Sequence, residues 1–318
     1  MAVIGTDAAV DGGTRDAVKS RAALNRGRLI SIDLLRGLVI LLMALDHARY
    51  FFSGAGVSPE DMEATTLPLF MTRWVTHLCA PVFFFLTGLS IYLSRERRTG
   101  RLGVRALTAM RGLWLIVLEL TIIGFAWSFT PGHCIGGVIW SLGWAMLFVA
   151  ALSVLPAWIV AGIGIVMIAG HNLFDNVSPE AFGAAAWVWH VLHVPWYVEM
   201  HEGESWFVLF PLIPWIGVAA LGYGVGSWFK LPPTRRRQLL YGAGGAMLAA
   251  FCVLRLTNVY GNPPTPSIPG AMGVFALPPD ATWSYAVIGF LNVEKYPPSL
   301  QYPIWRSEER RVGKECRS

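Results

Sequence analysis

RLISIDLLRGLVILLMALDHARYFF, residues 28–52, decides how this chain must be read. A helix crossing ~30 Å of hydrocarbon needs about 20 mainly apolar residues, and this stretch has that length. It also carries Asp33 and Arg36 near one end and Asp46, His47 and Arg49 near the other. A charge inside the bilayer costs about 3 kcal/mol on insertion, so a span that keeps several points to function. At about 100° per residue, Arg36 and His47 fall within ~20° of one helix face, roughly 16 Å apart along the axis. Asp33 sits within ~60° of Arg36. The expected result is one polar stripe that faces the protein interior and joins the two sides of the membrane.

The rest of the chain agrees with a bilayer setting. It is 54% hydrophobic and 14% charged, with a mean hydropathy of +0.51, far from a soluble average. Further apolar windows run over residues 73–93, 106–127, 134–152, 156–170, 207–229 and 239–256. The fold class expected is therefore all-α, a polytopic transmembrane helical bundle with about seven complete spans. Positive charge collects on cytoplasmic loops. Arg15, Lys19, Arg21, Arg26 and Arg28 precede the first window; Arg95, Arg97, Arg98, Arg101 and Arg105 follow the second; Lys230 and Arg235, Arg236 and Arg237 follow the sixth. The N-terminus is thus expected in the cytoplasm, and the net charge of +5 reflects topology rather than nucleic-acid binding. All seven histidines, His47, His77, His133, His171, His190, His193 and His201, then fall at the opposite side.

Cys79, Cys134, Cys252 and Cys316 show no paired or metal-ligand spacing, and no metal is expected. Residues 1–27 lack an apolar signal-peptide core and read as a disordered cytoplasmic tail. Residues 28–305 read as the membrane-embedded domain. After a Pro/Gly-rich outer stretch over 258–279, residues 283–302 read as a short surface helix approaching a further span. The charged run RSEERRVGKECRS, residues 306–318, cannot enter lipid and reads as a non-native tail in place of further spans, the other reading being a solvated C-terminus.

Arg73 and His77 share a face at i,i+4 in the second window, Glu119 lies inside the third, and His133 precedes the fourth. Helices packed as consecutive neighbours would gather two or three imidazoles and a carboxylate around one outer cavity. Plainer readings stand beside these. Asp33 with Arg36, and Asp46 with Arg49, are i,i+3 pairs that can simply neutralise each other. WVWHVLHVPWYVEMHE, residues 187–202, reads as an amphipathic interfacial helix in preference to a metal site built from His190, His193, Glu199 and His201.

Three motifs, SIDLLRGLVILLMALDHARYFF, TRWVTHLCAPVFFFLTGLS and FLNVEKYPPSLQY, resemble the catalytic domain of heparan-α-glucosaminide N-acetyltransferase and its bacterial relatives, over essentially residues 28–302. A wider superfamily of membrane sugar acyltransferases is similar in its D-x-L-R-G pattern with a histidine fourteen residues after the aspartate, here Asp33, Arg36, Gly37 and His47. The resemblance implies that His47 acts in acyl transfer and that Arg36 lies on the acyl-donor path. One departure is visible. The animal enzyme's catalytic histidine precedes its second span, where this chain has an apolar residue near Leu67, and His77 stands at an aspartate position.

The function expected is a membrane acyltransferase that moves an acetyl or other acyl group from cytoplasmic acyl-CoA to a sugar hydroxyl or amine across the bilayer. His47, with Asp46, His77 and Glu119, is assigned the chemistry; Asp33, Arg36 and Arg28 are assigned the acyl-CoA co-substrate. The partners expected are the lipid bilayer of a bacterial inner membrane and a glycan acceptor, and a homo-oligomer is compatible with that setting. A secondary transporter, or a non-catalytic membrane binding protein using the histidines, are the alternatives.

Overall fold

The computed structural model describes residues 29–52, 59, 65–97, 100–129, 133–201, 204–257, 260 and 282–292. Arg28, the 1–27 tail, Cys316 and the 306–318 run lie outside the described residues, as do residues 293–302 of the third motif. In chain order the elements are α1 (Ile30–Phe52), α2 (Leu67–Thr76), α3 (Cys79–Arg97), α4 (Arg101–Leu118, continuing through Glu119–Ile123 into Gly124–Ser128), β1 (His133–Gly136), α5 (Val138–Leu152), α6 (Ala157–Gly170), α7 (Ala186–Leu192), β2 (Trp196–His201), β3 (Glu204–Val208), α8 (Leu212–Val225), α9 (Pro233–Thr257) and α10 (Trp283–Leu291).

Each apolar window contains a helix, and the all-helical membrane class holds. The count of seven spans is more than the lengths carry. Among the described residues five helices are long and apolar enough to cross a membrane, covering Leu67–Arg97, Leu102–Trp127, Ala157–Phe174, Leu212–Lys230 and Pro233–Thr257. The sixth, α5, has 15 residues, because its window gives its first part to β1. The seventh, α1, is 23 residues long but holds Asp33, Arg36, Asp46 and Arg49.

The long helices alternate in direction, with α2 and α3 running on as one span, so the chain sorts into two ends. Arginines lie at one, at the end of α3 and the starts of α4 and α9. At the other stand His47, His77, His133 and His171, together with a small sheet. That sheet corrects the reading of residues 187–202 as one interfacial helix. Only Ala186–Leu192 is helical; Trp196–His201 pairs antiparallel with β3, which pairs in parallel with β1 in the order β1-β3-β2. Pro195 has no N–H to continue the helix, and it disfavours helical backbone at Val194, so the chain turns into a strand.

The core centres on α8, which packs against α3, α5 and α6 and buries Trp215 and Tyr223 almost completely. Lipid tails are as apolar as leucine, so helices in a bilayer associate through close packing over small residues. A Cβ on Gly88 of α3 would run into the Ala219 carbonyl of α8, and one on Gly222 would run into the Phe85 carbonyl. The same holds between α4 and α5, where a Cβ on Gly112 would stand 2.7 Å from the Gly143 carbonyl oxygen. Between α6 and α8, one on Gly164 would stand 2.6 Å from the Gly217 oxygen. By contrast α1 and α9 expose most of their side chains.

Overpacking at such a contact costs about 1–3 kcal/mol. Gly88→Leu is therefore expected to lower the unfolding temperature of the detergent-solubilised protein clearly. Gly162→Ala on α6, where a Cβ meets nothing within 4 Å, is expected to leave it unchanged or slightly raised.

Candidate functional site

α1 meets the bundle through α2 and α3. Ile32 and Val39 are its buried residues, one turn on either side of Arg36. Arg36 Nη1 donates to Asp33 Oδ1 at 3.4 Å, and Nη2 donates to Ser90 Oγ of α3, which in turn donates to the Leu86 carbonyl. Cys79 Sγ, at the start of α3, lies 3.6 Å from the Val39 carbonyl oxygen.

A second polar link stands at the histidine end. Asp46 accepts from Arg49 Nη2 at 2.6 Å, from Arg73 Nη1 at 2.7 Å and from Thr76 Oγ1 at 2.9 Å. Arg73 and Thr76 belong to α2, so one carboxylate ties α1 to the next helix. The i,i+3 pairing of Asp46 with Arg49 is present, but the pair extends into a four-residue cluster whose side chains are less than one-fifth exposed where charged.

His47 follows Asp46 and His77 follows Thr76, so the 2.9 Å bond sets the two imidazoles' backbones on either side of one link. Their surroundings differ. His77 lies at the turn between α2 and α3 and is 4% exposed. His47 is exposed, which corrects the expectation that it points inward on the Arg36 stripe. Its ring meets the edge of Trp127 from α4 at 5.5 Å, beside Tyr50 and Phe51, which contact the same indole. The packed face of α1 runs through Ile32, Arg36, Val39 and Asp46; His47 is one residue, about 100°, beyond it.

Glu119 is drawn elsewhere. It is 2% exposed and begins a widened turn of α4 in which the Gly124 N–H bonds the Glu119 carbonyl five residues back. Its carboxylate accepts from the backbone amides of Gly137 and Ile139 at the start of α5, while Oε2 is buried without a hydrogen-bond partner. Gly137 leaves the space a Cβ would take from Glu119 Oε1.

The other histidines whose side chains are described make local contacts. His133 Nδ1 is 2.8 Å from Ser205 Oγ across the β1–β3 pair. His190 Nδ1 is 3.2 Å from the Val194 carbonyl oxygen. His193, fully buried, places Nε2 3.1 Å from Asp175 Oδ1, and its ring centroid lies 5.8 Å from that of His171. Sequence reading left Asp175 out; its only signal is a carboxylate just past the end of an apolar helix. The side chains of Glu199 and His201 lie outside the described residues. Among the described residues no group of three or more His, Cys, Asp or Glu side chains is arranged to hold a metal ion.

At the arginine end, Arg95 Nη1 donates to Tyr223 Oη at 2.7 Å, and Arg105 Nε donates to the Ala150 carbonyl at 3.2 Å. Lys230 pairs with Glu96 at 2.7 Å. These contacts fix Arg95 of α3 against α8, Arg105 of α4 against α5, and Lys230 against α3.

A hydrogen bond to a charged partner contributes about 1.5–3 kcal/mol. Asp46→Ala removes one anion and leaves Arg73 and Arg49 facing each other, so a lower unfolding temperature is expected. Arg49→Gln, at the more exposed edge of the cluster, is expected to lower it less.

The chain matches, over residues 28–255, the family model described as heparan-alpha-glucosaminide N-acetyltransferase, catalytic. No curated protein matches it. With the match covering α1 through most of α9, the chain belongs to the heparan-alpha-glucosaminide N-acetyltransferase catalytic-domain family.

Proposed function

We propose that this protein transfers an acyl group from acyl-CoA bound at its arginine end to a sugar hydroxyl or amine at its histidine end, in a bacterial cytoplasmic membrane with the N-terminus inside. Family membership supports a membrane acyltransferase in general. The observation that supports the finer reading is the Asp46–Thr76 bond, which brings the end of α1 that carries His47 to the end of α2 that His77 follows, beside one charge cluster.

In this reading Arg36, oriented by Asp33 and Ser90, meets the acyl-CoA together with Arg28, because guanidinium groups bind phosphate oxygens in forked pairs. The acceptor nitrogen or oxygen attacks the thioester carbonyl carbon while His47 takes its proton. The carbon–sulfur bond breaks, and the coenzyme A thiolate leaves with a proton from the imidazolium. Asp46 fixes the helix end that presents His47. His77 orients the proton path from the buried side, and Glu119 is the next carboxylate available to it.

General-base catalysis contributes about 10²–10⁴-fold. Release of free CoA from acetyl-CoA by the purified protein, with glucosamine or another simple sugar as acceptor, is therefore expected to fall at least about 100-fold in His47→Ala. Arg36→Gln is expected to raise the KM for acetyl-CoA about tenfold or more, from the loss of one charge-assisted contact. Turnover that survives replacement of both residues would refute the assignment. Sugar-dependent uptake into vesicles without CoA release would instead identify a transporter.

A further inference from the structure

Arg95 lies in the last turn of α3 and Arg105 near the start of α4, so both stand at the arginine end of the bundle. Each is anchored through one nitrogen to a neutral oxygen: Arg95 Nη1 to Tyr223 Oη, and Arg105 Nε to the Ala150 carbonyl. The two anchors meet on one turn. Tyr223 Oη donates to the Ser153 carbonyl at 3.4 Å, and Ser153 Oγ donates at 2.8 Å to the same Ala150 carbonyl oxygen that holds Arg105. Residues 150 and 153 differ by about 4.5 Å of helix rise, so both arginines are fixed around the end of α5.

The bonds made leave complementary parts free. A guanidinium carries donors on every nitrogen and accepts nothing. With Nη1 engaged, Arg95 keeps the side edge formed by Nε and Nη2. With Nε engaged, Arg105 keeps the end edge formed by Nη1 and Nη2. Each edge is a complete two-donor fork, and among the described residues neither fork has a partner. Both side chains are partly exposed, and none of these free nitrogens is among the sealed, unpartnered atoms of the described residues. A solute arriving from the water at this end can therefore touch them.

A phenol hydroxyl and a peptide carbonyl carry no charge, so neither anchor neutralises its arginine. Glu96, the adjacent carboxylate, is occupied by Lys230. Two like charges held beside one turn repel each other, and an anion set against both removes that cost. The donor geometry selects the anion. A guanidinium fork matches a pair of oxygens on one phosphorus, and two separate forks suit two linked phosphates, one on each.

We infer that Arg95 and Arg105 form a binding site for a pair of linked phosphate groups. Two molecules bring that chemistry to the arginine end: the pyrophosphate of an acyl-CoA and the paired phosphates of a cardiolipin headgroup. The site goes beyond the assignment of Arg36 and Arg28, and it stands whether or not acyl transfer occurs.

The test is equilibrium binding of inorganic pyrophosphate and of coenzyme A to the full chain in detergent, without acyl acceptor. A parallel arm reads the rise in unfolding temperature when cardiolipin is added to phosphatidylcholine nanodiscs. Arg95→Gln and Arg105→Gln are each expected to weaken pyrophosphate binding about tenfold, the loss of one charge-assisted pair. Arg97→Gln, which removes an exposed arginine from the same helix end, is expected to leave it within about twofold. Arg95→Lys and Arg105→Lys keep the charge but lose the fork, and weaker binding in them supports the site even where a glutamine variant fails to fold. Coenzyme A binding that falls in step identifies the acyl-CoA as the ligand; a cardiolipin response lost in the variants, with coenzyme A binding intact, identifies the lipid.

An unaltered chain that binds pyrophosphate and coenzyme A no better than Arg95→Gln, and answers cardiolipin no differently, would overturn the site. Arg97→Gln weakening binding as much as Arg95→Gln would overturn it too, leaving a diffuse basic surface. Citrate bound as tightly as pyrophosphate would overturn the phosphate assignment in favour of carboxylates. Because binding is read without turnover, an inactive protein that holds coenzyme A through these arginines would sink the acyl-transfer reading and keep the site. An active protein whose binding and lipid response ignore both arginines would do the opposite.

Discussion

Close backbone approach around α8 is the constraint on which the remaining architecture depends. In lipid an apolar side chain gains nothing by leaving its neighbours, so helices hold together where bare backbone lets them come near. Gly88 and Gly222 bring α3 and α8 together, and Gly164 and Gly217 bring α6 against the opposite side of α8. The backbone of α3 is fixed by this contact, and α3 carries Cys79 and Ser90, two of the groups that receive α1. Glycine spacing in the core thus reaches the candidate site through one shared helix.

α1 is held in another way. Few of its side chains are buried, and polar links at both ends take the place of extensive packing: Arg36 with Ser90 toward one end, Asp46 with Arg73 and Thr76 toward the other. Such links set the rotation of a helix about its own axis, because a slip of one residue moves every side chain by about 100°. With Arg36, Val39 and Asp46 turned to the bundle, His47 must face outward past the edge of the contact. The charges that made this stretch conspicuous as a span are therefore also what aims the histidine.

The membrane class, the helical windows and the segregation of histidine from arginine were legible in the sequence because hydropathy and loop charge are properties of contiguous residues. Family membership was legible from the two local motifs inside the matched residues, one in α1 and one across α2 and α3. The small sheet was not, since β1 is the four residues HCIG, too short to show alternation, and its partner β3 lies about seventy positions later. Partners made of backbone were hidden for a similar reason. Glu119 is held by the amides of Gly137 and Ile139, and Arg255 by the carbonyls of Gly289, Phe290 and Asn292, and a sequence does not print which main-chain groups are left over. Spacing along α1 placed Arg36 and His47 within a small angle, but the packed face passes just to the other side of that arc.

The widened turn at Glu119 connects these separate parts. Five residues fill a turn that ordinarily closes with a bond to the fourth, so every residue of α4 beyond it is rotated by about one residue's worth, ~100°, relative to an unbroken helix. Before the turn, α4 presents Gly112 to Gly143 and packs closely along α5. After it, α4 presents Trp127 to His47, Tyr50 and Phe51 of α1. A regular helix could meet one of these partners in register but would turn Trp127 roughly a quarter-circle away from the other. Glu119 sits where the extra residue is absorbed, and its carboxylate binds the amides that begin α5, at the point where the close α4–α5 contact ends. Burial of an intramembrane carboxylate at that position thus has a structural account independent of proton transfer: it anchors the change of phase that lets α4 pack on α5 and still reach the ring of His47.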